Sequence, residues 1–156
     1  MATGNFARAG ERAVLVASLL AMLAIQPAFP QASASAERDR FRWPLRGQVI
    51  QPYSPGENDG LDIKAPVGEA VHAAADGDCI FSGALKPFGQ LVLIRHPHGY
   101  VTAYGYLSEL SVKQGDKVRR GEIIGKSGED DGSPRLHFEL RKDSQPIDPT
   151  KYLVPL

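Results

Sequence analysis

Beyond its first 40 residues, this 156-residue chain is cut by Gly, Pro, Asn and Asp so often that only short extended segments fit between the breaks. Alternating or apolar runs over 48–53, 70–74, 78–84, 90–96, 100–107, 122–126 and 135–141 read as strands. No stretch in this part keeps a helical period for three turns, and 107–112 offers at most one. The expected architecture is therefore a small, mostly β, antiparallel domain. Tight turns are expected at 96–99, where Pro97 stops a strand and Gly99 supplies a positive φ, and at 113–116 and 119–122. Those last two turns would make 112–128 a small meander with polar corners.

The first 40 residues are different. Arg8 and Arg12 precede an apolar run over 13–25, followed by Pro27, Pro30 and the small-residue stretch 32–36. A basic start, a short apolar centre and a small-residue exit read as a secretory signal peptide over 1–36, then a linker over 37–40 and one domain over 41–156. The run falls short of the ~20 apolar residues of a membrane span, so an uncleaved anchor is the lesser alternative. A periplasmic or secreted location follows, with no stable membrane span after cleavage. The single cysteine, Cys79, has no internal disulfide partner and reads as a small buried core residue. Balanced charge, 18 basic against 18 acidic residues without clustering, argues against nucleic acid as a partner.

Three segments suggest chemistry: Asn58-Asp59-Gly60-Leu61-Asp62, Tyr104-Gly105-Tyr106-Leu107 and Arg135-Leu136-His137-Phe138-Glu139. With WPLRG before them, IKAPVGEAVHAAADG after the first and GDKVRRGEIIG between the second and third, they resemble, over 41–153, the lysostaphin/LytM-type zinc endopeptidases of bacterial cell walls. The resemblance implies a duplicated-hybrid-motif β fold with a groove. It also implies a pattern of HxGxD, a His after Tyr and a small residue, and HxHxE, in which two His and the Asp hold zinc and two further His steer water and substrate.

This chain departs from that pattern. Asn58 replaces the first ligand His, Tyr106 one catalytic His and Arg135 the other, leaving Asp62 and His137 as residual ligand positions. An amide oxygen is a poor zinc ligand, and a guanidinium puts a permanent positive charge where a dication belongs. No catalytic residue, no bound metal and no cofactor are therefore expected. Asp62 and His137 should instead share a carboxylate–imidazole hydrogen bond, with Arg135 pairing to Asp62 in the space a metal would fill. His72, His96 and His98 are read as solvated or edge-packed, and Tyr100 and Phe138 as core or rim aromatics.

A groove lined by Asn58, Asp62, Tyr104, Tyr106, Arg135 and His137 could grip a partner without hydrolysing it. The losses resemble those of the non-catalytic LytM-type division factors, the NlpD and EnvC type. That resemblance implies binding and activation of a periplasmic N-acetylmuramyl-L-alanine amidase, with peptidoglycan as a possible second partner. Alternative readings are a peptidoglycan-binding scaffold module and a zinc endopeptidase with unorthodox ligands. A biotinyl- or lipoyl-carrier reading of 112–128 finds no carrier signature around Lys126.

Overall fold

The computed structural model describes residues 40–156. The leader expected over 1–36, and all of the linker but Arg40, lie outside these residues. Ten antiparallel strands follow: β1 Val49–Gln51, β2 Leu61–Lys64, β3 Ala70–His72, β4 Gly77–Ala84, β5 Gln90–Arg95, β6 Tyr100–Leu110, β7 Lys117–Val118, β8 Ile123–Asp130, β9 Ser133–Lys142 and β10 Gln145–Ile147. They pair in the order β1-β2-β9-β8-β6-β5-β4-β7, with β3 added to β8, β10 added to β9, and β6 also pairing β9. Among the described residues no helix is long and apolar enough to cross a membrane.

Strand β9 shows why these residues fold this way. Side chains alternate across a strand, so Leu136, Phe138 and Leu140 point one way and Arg135, His137, Glu139 and Arg141 the other. The three apolar side chains are fully buried beside Leu61, Ile63, Val71 and Ile124. Truncating Phe138 to Ala would remove about 3–5 kcal/mol, more than half the stability of a marginal domain. The polar row is thereby fixed over the opposite face. Both ends of the domain are tied down as well: Phe41 bridges Leu153, and the Trp43 indole donates to the Val154 carbonyl at 2.9 Å.

Several expectations need correction. β6 runs on past the expected end at 107 through Leu110, and no helical turn forms at 107–112, within the expected limit of at most one. The 112–128 segment is not a self-contained meander, because β7 joins the edge of β4 while β8 pairs with β3, β6 and β9. Strands β2 and β10 were not anticipated, whereas β7 lies between the two expected turns at 113–116 and 119–122. The turn at 96–99 does form, as a single 3-10 turn with His98 and Gly99 at φ 64° and 78°. Cys79 is buried, as expected.

Candidate functional site

Antiparallel pairing of β2 with β9 sets Asp62 opposite His137 and Lys64 opposite Arg135. Both contacts expected of Asp62 are present. Its Oδ2 accepts from Arg135 Nη1 at 2.8 Å, and its Oδ1 faces His137 Nδ1 at 2.7 Å. The chain of charges then runs on through residues that the sequence reading did not single out. His137 Nε2 lies 3.0 Å from Glu139 Oε1, Glu139 Oε2 accepts from Arg141 Nε at 2.7 Å, and Arg141 Nη2 reaches Asp59 Oδ2 at 3.4 Å. The period-two spacing of Arg135, His137, Glu139 and Arg141 was the signal that could have found the extension.

The electrostatics follow from this order. Burial alone would push the His137 pKa down, but hydrogen bonds and charge from Asp62 and Glu139 more than reverse that and raise it to about 9. Burial likewise works against ionisation of Asp62 and Glu139, yet their cationic partners hold both below the ordinary carboxylate range. At neutral pH the row thus alternates cation and anion: Arg135, Asp62, His137, Glu139, Arg141, Asp59. An imidazolium donating from both nitrogens has no lone pair for a metal. Among the described residues, no group of three or more His, Cys, Asp or Glu is arranged to hold a metal ion. The donor set as it stands does not fit zinc.

Two aromatic rings cover the row. Phe88 stacks on His137 with centroids 5.3 Å apart, and Tyr106 meets the same imidazole edge-on at 6.0 Å. Gly105 makes the room for Phe88, since a Cβ there would sit 3.3 Å from the Phe88 Cβ. Tyr106 takes φ 58°, unusual for a bulky residue, and is held by its N–H donating to the Phe88 carbonyl at 2.8 Å. Its phenol is pushed to a higher pKa by burial, then by the charges of Asp130 and Asp62 against the opposing pull of Arg135.

Two other expected groove residues sit elsewhere. Tyr104 is fully buried against Phe138, and its hydroxyl accepts from the Ala74 N–H at 2.8 Å and shares a 2.9 Å hydrogen bond with Thr102. Burial, against those two hydrogen bonds, pushes its pKa up to about 12. It belongs to the core and cannot line a groove. Asn58 is also buried, and it braces the preceding loop: its amide donates to the Pro52 carbonyl at 3.1 Å while its oxygen accepts from the Gly60 N–H at 3.4 Å. His96, expected at an edge, is instead buried between the Asp76 carbonyl and Thr102.

Fold and site together define a small antiparallel β domain carrying a salt-bridged row across β2 and β9. The chain belongs to peptidase family M23, whose model matches residues 56–149. It is 42% identical over 129 residues to the cell division protein DipM of Caulobacter vibrioides, covering 74% of this chain and 21% of that protein. It is 36% identical over 132 residues to the murein hydrolase activator NlpD of Salmonella dublin, covering 82% of this chain and 35% of the relative. The chain thus spans well under half the length of these relatives. Among solved structures, the catalytic domain of the antimicrobial peptidase lysostaphin from Staphylococcus simulans superposes with a TM-score of 0.56 at 30% identity, covering 66% of this chain and 86% of that one.

Proposed function

We propose that this domain regulates a cell-wall hydrolase by binding it, and does not itself cut peptidoglycan. The observation that carries the reading is His137, with both ring nitrogens facing carboxylates and its charge fixed by them. A peptidase of this family would need that imidazole as a neutral ligand and an open coordination position for water. Here neither is offered, so water has nothing to activate it. Relatives named as a murein hydrolase activator and a cell division protein support the same direction.

The binding surface in this reading is centred on Tyr106, Phe88 and the outer edge of Arg135. The partner is a periplasmic peptidoglycan amidase, met after export through the leader over 1–36. Activation requires that the domain prefer the open amidase to the closed one, because equal affinity for both would shift nothing. Tyr106→Ala is expected to reduce amidase stimulation on soluble muropeptides at least tenfold, roughly the cost of losing one aromatic anchor. Its thermal midpoint should hold. Full stimulation by the folded variant would overturn the proposal.

A further inference from the structure

At the end of the sheet away from Tyr106 and Arg135, two recesses meet. One, about 510 Å³, is lined by Arg95 at the end of β5, Lys117 in β7 and Arg119 just beyond, with Asp76 and Asp78 in its wall. The other, about 310 Å³, is lined by Arg40 and Arg120. They share Asp76, His96 and Pro97, so they adjoin and line one stretch of surface, a track. Register places the track far from the Tyr106 surface: Arg95 pairs with Val101, which pairs with Arg141, whereas Arg135 lies about 20 Å back along β9.

Charge along this track is strongly one-sided. Five cations face two carboxylates, and both carboxylates are engaged. Asp76 Oδ1 accepts the Arg120 backbone N–H at 2.6 Å, and Asp78 meets Arg95 at 3.6 Å. Among the described residues, Lys117, Arg119 and Arg120 make no ion pair, and all three are exposed. The backbone beneath them is braced, since the Arg119 N–H donates to Glu122 at 2.8 Å and β7 is paired to β4. The domain as a whole is charge-balanced, so this local excess is not a by-product of a basic composition. A concave track with three exposed cations free of ion pairs, flanked by Arg95 on Asp78 and Arg40 over the Tyr100 ring, suits an extended polyanion with repeated carboxylates better than a single small anion, which one recess would satisfy.

We propose that this track binds the peptidoglycan polymer through the carboxylates of its stem peptides, while the Tyr106 surface engages the hydrolase. The assignment of the polymer rests on the cell-wall function proposed above; the separation of the two surfaces does not. Their distance allows simultaneous occupancy, which raises the local concentration of hydrolase at its substrate without any new contact to either.

Co-sedimentation of the full-length protein with purified sacculi tests this, comparing wild type with R119E/R120E and the milder R119Q/R120Q. Each cation near an anionic surface contributes about a factor of five. Retention at low salt should therefore fall about 25-fold or more in R119E/R120E, fall less in R119Q/R120Q, and fall in wild type as salt is raised. Stimulation of the amidase on soluble muropeptides should stay at the wild-type level in both variants. Undiminished sacculus retention in folded R119E/R120E overturns the track proposal and leaves the Tyr106 reading standing. So does a loss seen only on phosphatidylglycerol vesicles, which would make the track a lipid contact. Loss of Tyr106→Ala stimulation is a separate readout, so the two readings fail separately.

Discussion

His96 and His137 are buried to nearly the same degree, 5% and 6% exposed, yet their surroundings drive them to opposite charge states. His96 faces a backbone carbonyl at 2.7 Å and a hydroxyl at 2.8 Å. Burial outweighs the hydrogen bond and the charge of Asp76 and lowers its pKa, so the ring stays neutral at neutral pH. His137 is clamped between two carboxylates, and the same burial penalty is overridden. Partners decide whether a buried imidazole is a neutral hydrogen-bonded spacer or a cation at neutral pH. In this fold the second outcome sits where β2 pairs with β9.

The largest way to break the contrast is Asp62→Ala. It removes the shared acceptor of Arg135 and His137, while Arg135 Nε is already buried without a partner. Breaking such a pair from one side costs about 3–5 kcal/mol, and the partial exposure of Arg135 favours the low end. Urea unfolding at neutral pH should show that loss, and a change under about 1 kcal/mol would mean the row is not structurally coupled.

A smaller effect separates the two rings by sign. The folded pKa of His137 is raised to about 9, so its contribution is complete below the unfolded value of 6.5 and is lost as pH climbs through about 9. Across that window the loss is on the order of 3 kcal/mol. His96 has a lowered folded pKa, so its contribution is present above 6.5 and is lost as pH falls below it. His137→Gln should flatten the alkaline limb of stability against pH, and His96→Gln the limb just below 6.5. Identical profiles for the two variants would erase the distinction.

Much of this could be read from residues alone, and the misses have physical causes. The run over 135–141 reads as a strand from its residues alone, whereas the pairing of Asp62 with His137 and Arg135 was expected from the family resemblance. The resemblance also led to Tyr104 being placed in the groove. Strict period two puts Tyr104 and Tyr106 on one face, but register shifts on both sides of β6 and the positive φ of Tyr106 break the period there. Tyr104 turns into the core, and Gly105 and Tyr106 both belong to the His137 side. Phe88 was missed because it reaches His137 from the loop between β4 and β5, and no spacing along β9 encodes that approach. The buried His96 network was missed for a related reason: its partners, Asp76 and Thr102, come from separate segments.

The most direct test is a titration of the His137 ring nitrogens by 15N NMR, with and without one equivalent of zinc. Two protonated nitrogens at neutral pH, an apparent pKa near 9 and no response to zinc are the predicted result. A neutral ring at pH 7 whose nitrogen shifts on stoichiometric zinc would contradict the claim that this imidazole is a structural cation.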